Sequence, residues 1–432
     1  MRHDTAIPVL RQRPILTAAG PLREARADAR RDGPVRSLYV HVPFCFHKCH
    51  YCDFYSLVDP RDRQPAFVDR LARELAALAP WTTGAALSTV FVGGGTPSLL
   101  RVELWRTVLA ALARHYDLSA RDLEFTVECN PETVTPELMD VLVAGGVNRV
   151  SIGAQSFDPR HLKTLERWHD PENVARAIDL ARRAGVARQS VDLIFGIPGQ
   201  TVAEWERDLG AAIALGTTHV SCYDLTYEPN TAMTARLKRG EFVAADEDDE
   251  VEMFASTLRL LRAAGLERYE VSNFARAGDE CRHNLGYWRQ EQWLAAGPSA
   301  SAHVAGRRWK NVPRLDDYLA VDDAGFAPIT DHESPDPARA LRERIMTGLR
   351  LAEGLDAAAT LATSDALGPS IALPDSPSSS GRHRTVSARL GGAVARHAER
   401  GMLTADSGRW RLTDAGFLMA DGIAADLMAA VG

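Results

Sequence analysis

The chain has 432 residues, enough for two or three domains with a large buried core. Its 57 acidic and 50 basic residues give a net charge of −7, which excludes the basic balance of a nucleic-acid binder. No apolar run approaches the roughly 20 residues that cross a bilayer.

Residues 1–36 are Arg-rich but also carry Asp4, Glu24, Asp28 and Asp32, and they lack an apolar signal core. They read as a poorly ordered leader rather than a targeting peptide. The first buried-strand pattern, 37–42, runs into LYVHVPFCFHKCHYCDFYS, where Cys45, Cys49 and Cys52 have the spacing Cys-x3-Cys-x2-Cys. Such a loop can place three thiolates on three irons of a 4Fe–4S cubane and leave the fourth iron open to S-adenosylmethionine (SAM). The competing reading is a structural zinc site completed by His41, His47 or His50. Three cysteines crowded into a short loop and three scattered ones (Cys129, Cys222, Cys281) suit a reducing cytoplasm with one metal site, not a secreted disulfide framework.

Phe67, Leu71, Leu75 and Leu78 recur at helical spacing, and a second strand pattern, 88–93, ends in Gly93, Gly94, Gly95 and Thr96. Glycines there let the backbone approach a ligand closely, although a tight turn would use them equally. After the helical pattern of Leu100, Leu104, Val108 and Leu112, strand 123–129 delivers Glu128. Strands 148–154, 190–196 and 219–224 follow, bringing Gln155, Arg167 and Asp192 onto or just beyond strand ends. A polar group there needs a partner, and a salt-bridged strand end satisfies it as well as a ligand does. Cys129 and Cys222 lie in apolar runs and read as inert buried thiols. Most of these strand patterns are apolar along their length, as in strands buried on both faces.

Six strand–helix units between 37 and 240 imply a parallel sheet. Periodicity does not separate an open doubly wound sheet from a curved partial barrel, and both put the chemistry at the C-terminal strand ends. Beyond 240, the acids of DEDDEVE open a helix whose dipole they complement. Segment 241–354 extends the first domain, 355–386 is Ala-, Ser- and Pro-rich and reads as a flexible insertion, and 387–432 reads as a small winged-helix-like α+β domain.

Together these residues resemble the radical SAM superfamily, and within it the anaerobic coproporphyrinogen oxidase-like group. YVHVPFCFHKCHYCDF resembles that group's cluster loop. GGGTPS, ECNPE, IGAQSF, DLIFGIPGQT and YDLTYEPNT resemble its strand-end motifs, and MTGLRLAEGLD and RLTDAGFLMADGI its appended domain. The resemblance implies a partial (β/α)6 TIM-like barrel. It also implies a SAM pocket made by Tyr39, Tyr51, Gly94, Gly95, Thr96, Glu128, Gln155, Arg167, Asp192 and Thr226.

Two branches of the group differ in two places. The dehydrogenase branch carries a further cysteine two residues after the third ligand, where this chain has Phe54. The heme-chaperone branch carries HNxxYW, here His283 to Trp288. The resemblance therefore implies a cytoplasmic heme chaperone rather than an active coproporphyrinogen III dehydrogenase, the alternative reading. Its cofactors would be the 4Fe–4S cluster and SAM, with heme as cargo. Its partners would be an acceptor hemoprotein and an electron donor, with peripheral membrane contact and a homodimer in the same expectation. His283 is the heme-ligand candidate, since imidazole ligates heme iron and Tyr and Trp rings pack on a porphyrin. The competing reading is a helix start with an aromatic pair in the core, and His303, His47 and His50 are rival ligands.

Overall fold

The computed structural model describes residues 33–322, 324–367 and 385–432. Residues 1–32 of the expected leader and 368–384 of the expected insertion lie outside the described residues.

The first six strands are β1 (Ser37–Val42), β2 (Thr89–Gly94), β3 (Glu124–Cys129), β4 (Arg149–Gln155), β5 (Arg188–Phe195) and β6 (His219–Asp224). Each pairs in parallel with the next. Strand order therefore never reverses, as it would in a doubly wound sheet. β7 (Glu267–Arg268) and β8 (Asn273–Ala275) add antiparallel beyond β6, and β9 (Leu294–Ala296) adds parallel beyond β1. The order β7-β8-β6-β5-β4-β3-β2-β1-β9 leaves β7 and β9 unpaired with each other, so the barrel is partial.

The strands are not apolar on both faces. Leu38, Val40, Val90, Val92, Phe125, Val127, Val150, Ile152, Val191, Leu193 and Val220 form the face that joins the main core, each 0% exposed. Burying each is worth roughly 1.5–3 kcal/mol. The alternate positions are polar: Glu124, Thr126 and Glu128 on β3, Ser151 on β4, Ser190 and Asp192 on β5, His219 and Ser221 on β6. These side chains satisfy one another across strands. Ser190 Oγ meets His219 Nδ1 at 2.8 Å, and Ser151, Ser190 and Ser221 all donate to Asp192.

Local signals fix the helices. Thr201 and Glu204 form a capping box for Val202–Ala214, and Asp246 caps the acidic start of Glu247–Ala263. β10 (Ser301–Val304), β11 (Arg307–Asn311) and β12 (Ile329–Glu333) make an antiparallel sheet beside β9. Buried Glu74, on helix Gln64–Leu78, ties this region to the barrel. It accepts from Gly297 N at 2.9 Å, Asn311 Nδ2 at 2.7 Å and Tyr318 Oη at 2.7 Å.

Three expected boundaries shift. Val35, assigned to the leader, is fully buried and donates to the Trp81 carbonyl at 3.2 Å. Residues 355–367 of the expected insertion are ordered, as strand β13 (Leu355–Asp356) and helix Ala357–Ala366, with Asp356 capping Ala359 N. The C-terminal core also begins earlier than 387, because Leu341, Ile345 and Leu349 pack with Val386, Leu390, Leu403, Phe417 and Leu427. β13 joins β15 (Arg409–Leu412) and β14 (Leu403–Asp406) in the three-stranded sheet of this winged-helix-like unit. Arg268 docks the unit on the barrel, with its guanidinium 3.6 Å from the Phe417 ring centroid and 3.0 Å from Asp414 Oδ1.

Candidate cofactor site at the strand ends

The three-cysteine loop is pinned at its base by Cys45 N to Leu57 O at 2.9 Å and Leu57 N to Pro43 O at 2.8 Å. It is held on its far side by Met233 N to His50 O at 2.9 Å. Lys48 Nζ crosses the loop to the Phe54 carbonyl and Ser56 Oγ. Cys45, Cys49 and Cys52 are free thiols, and all three line a cavity of about 860 Å³.

Their spread suits a cubane better than one zinc ion. Among the described residues, only Asp158, His161 and Glu204 bring three ligand atoms within 4.8 Å of one another. Tetrahedral zinc at its usual bond length would hold thiolates about 3.8 Å apart. Two of the three rival histidines are also engaged. His41 is bonded at both ring nitrogens, to Tyr39 Oη at 3.0 Å and the Tyr55 carbonyl at 2.8 Å, and His50 Nδ1 meets Arg236 at 3.1 Å, whereas His47, stacked on Trp168 at 4.2 Å, lines the cavity with no hydrogen bond at Nε2.

Residues from the strand ends, the cysteine loop and the segment after helix Pro159–Thr164 close the same cavity. Tyr51, Gly94, Gly95, Thr96, Glu128, Gln155, Arg167, Asp192 and Thr226 all line it. Gly94 has φ +108, and a Cβ there would stand 2.5 Å from the His41 ring. A Cβ on Gly95 would stand 2.8 Å from the Phe44 carbonyl oxygen. Gln155 itself takes φ +65, which re-aims the end of β4. Arg167 donates to the Gly153 carbonyl at 2.8 Å and reaches Cys49 Sγ at 3.8 Å. The guanidinium thus sits beside the thiol set, where it would offset the charge of thiolates ligating a cluster.

Six acidic residues line the cavity, among them Glu128 and Asp192. Glu128 accepts from Gly94 N at 3.1 Å, and burial, with nearby Asp192, pushes its carboxyl up to about 7. Burial also raises Asp192, against the pull of its serine donors. Such groups fit a cationic ligand that restores their charge.

Tyr39 is not part of this lining. It lies in a neighbouring cavity with His41 and Tyr287, and its ring stacks on Phe91. Sequence reasoning missed Ser151 and Gly153 on the floor and Phe46 and Trp168 at the rim, where Phe54, noted only for the cysteine it replaces, joins them. Phe46, Phe54 and Trp168 are 71%, 65% and 59% exposed, and exposed aromatics beside a cysteine loop were the available signal.

The HNxxYW segment forms helix Arg282–Trp288 at the opposite end of the strands. Glu124, at the start of β3, accepts from Arg282 N at 2.9 Å and His283 N at 3.0 Å, so a buried carboxylate caps this helix. His283 is buried, with Nδ1 2.7 Å from Thr89 Oγ1 and Nε2 2.8 Å from Tyr287 Oη. Burial lowers its imidazole to about 4, so the ring is neutral. In this conformation neither nitrogen is free for iron.

Fold and site together define a class: a partial barrel whose Cys-x3-Cys-x2-Cys loop opens onto a polar cavity at its strand ends has the architecture of a radical SAM protein. The Radical SAM superfamily description matches residues 39–212. In overall architecture the chain is similar to Escherichia coli coproporphyrinogen III oxidase HemN, a radical SAM enzyme. The TM-score is 0.78 at 21% identity over 98% of this chain and 96% of that one, a likeness of fold.

Sequence relatives narrow the class. The heme chaperone HemW of Mycobacterium tuberculosis is 39% identical over 322 residues, 74% of this chain and 82% of the relative. HemW of Bacillus subtilis is 34% identical over 322 residues, 74% and 85%. The chain belongs to the HemW family of heme chaperones. Among the described residues no helix is long and apolar enough to cross a membrane.

Proposed function

We propose that the protein is a cytoplasmic heme chaperone that binds heme and passes it to an acceptor hemoprotein, using a 4Fe–4S cluster and SAM. The supporting observation is the cavity in which Cys45, Cys49 and Cys52 meet nine of the residues expected in the SAM pocket, in a chain 39% identical to HemW. When bound, the cluster supplies an iron with an open coordination position and an electron.

The chain's own residues do the rest. Cys45, Cys49 and Cys52 hold the cluster, and Arg167 offsets their charge. Gly94, Gly95 and Thr96 leave room for the methionine end of SAM, and Glu128 and Asp192 receive positive charge. Tyr51, Gln155 and Thr226 complete the walls. Phe54 puts an exposed phenyl ring, not a thiol, at the rim. His283 serves the scaffold, as the link between Thr89 and Tyr287.

Hemin titration into anaerobically reconstituted protein tests the reading, with coproporphyrinogen III turnover followed in parallel. A saturable Soret shift without protoporphyrinogen IX is expected. Turnover to protoporphyrinogen IX would overturn it in favour of the dehydrogenase.

A further inference from the structure

A second cavity, of about 570 Å³, lies beside the first, walled by β1, β10, β11 and helix Pro337–Gly348. Its volume falls in the range of about 300–1,000 Å³ that suits a cofactor-sized ligand. Tyr55, Tyr287 and Trp293 give it aromatic walls, with Tyr287 and Trp293 edge to face at 4.6 Å. Asp53 and Phe54 line both cavities, so a ligand here lies against the rim of the cluster site.

Two cations enter the cavity from β11. Arg308 is already matched, with Glu343 at 2.6 Å and Gln290 at 2.5 Å. Lys310 is half-buried and faces the same space. Among the described residues its ammonium has no ion pair. An ammonium drawn from solvent into an aromatic-walled cavity is stabilised by an anion, and a carboxylate beside flat apolar surface supplies both features.

We propose that this cavity is the cargo site. It would take a planar, carboxylated tetrapyrrole, with one carboxylate on Lys310 and the ring against Tyr287 and Trp293. The inference rests on the heme-chaperone reading and adds where the cargo sits and what reads its acid groups. His283 supports this wall from behind, through its bond to the Tyr287 hydroxyl.

The test uses the full chain, reconstituted anaerobically, titrated with hemin and with hemin dimethyl ester, which lacks free carboxylates. The parent is expected to prefer hemin by about tenfold, the loss expected for one charge-assisted pair. Lys310→Gln should abolish that preference by weakening hemin alone, and Lys310→Arg should restore it. An unchanged SAM response in the cluster's EPR spectrum shows that each variant is folded. Saturable hemin binding whose ester discrimination survives Lys310→Gln overturns the site but leaves the chaperone reading intact. No saturable binding by the parent overturns both.

Discussion

Glu128→Gln should stabilise the apoprotein at pH 8 and weaken its hold on SAM. The folded carboxyl titrates at about 7, against an ordinary 4.5, because burial and Asp192 disfavour its charge. That gap is worth roughly 3 kcal/mol against the ionised folded form. The side chain opens onto the cluster cavity, so solvent screening reduces the figure to about 2 kcal/mol. The direction follows from proton linkage. Between pH 4.5 and 7 the folded state binds more protons than the unfolded state, so this group lowers stability as pH rises and gives its full penalty above 7. Glutamine keeps an oxygen for the Gly94 N–H and carries no charge. The thermal midpoint of the variant should therefore exceed the parent's by about 2 °C at pH 8. The gain should shrink to under about 1 kcal/mol at pH 5. Saturating SAM should reverse the order, since only the parent can pair a carboxylate with the cationic ligand. A gain equal at both pH values, or none at pH 8, would refute the assignment of a strained carboxyl.

Three further outcomes are expected. Cys49→Ser should drop iron and acid-labile sulfide well below about four per chain and remove the SAM-dependent EPR change. Gly94→Ala meets a positive φ and the His41 ring at once, so it should cost at least about 2 kcal/mol and lose SAM retention, measured by thermal shift and equilibrium dialysis. His283→Ala removes a buried ring and two hydrogen bonds, so it should cost about 2–4 kcal/mol in denaturant unfolding. The folded fraction of that variant should still give a hemin Soret band, and loss of the band there would make His283 the iron ligand after all.

Much of the barrel was legible because its signals are local. The six strands lie within two residues of their sequence-read positions, since β-branched runs and glycine-ended turns mark them without tertiary information. Nine of the ten residues expected in the SAM pocket line one cavity, most of them because strand ends converge by topology. What the pattern hid was the inward face. Ser151, Ser190 and Ser221 are short and, read along the chain, look like tolerated interruptions of an apolar run. Only the strand register, which pairs Ser221 with Asp192 and Ser151 with Ser190, brings the hydroxyls of all three onto Asp192. Tyr39 lines the neighbouring cavity for a related reason: which side of β1 it serves depends on β9, joined to it only through long-range pairing. HNxxYW was legible as a string, but its position at the far end of the strands is set by Glu124, more than 150 residues earlier.

The two cavities make the rim residue Phe54 more than a missing cysteine. Asp53 and Phe54 follow the third cluster ligand directly and form part of both walls, so a ligand in either cavity bears on the backbone that carries Cys52. Tyr39 provides a second connection. Burial raises its phenol far above the usual range, helped by Glu128 on one side and Tyr287 on the other. A cationic ligand at Glu128 therefore changes the field at Tyr39, which stands at the edge of the proposed cargo wall. Coupling of this kind is reciprocal: if SAM alters tetrapyrrole affinity by some factor, the tetrapyrrole must alter SAM affinity by the same factor. A chain with a thiol in place of Phe54 would put a reactive sulfur where this one puts an apolar ring between its two ligands. The substitution at that position thus fits a protein that communicates between two bound molecules rather than one that transforms the second.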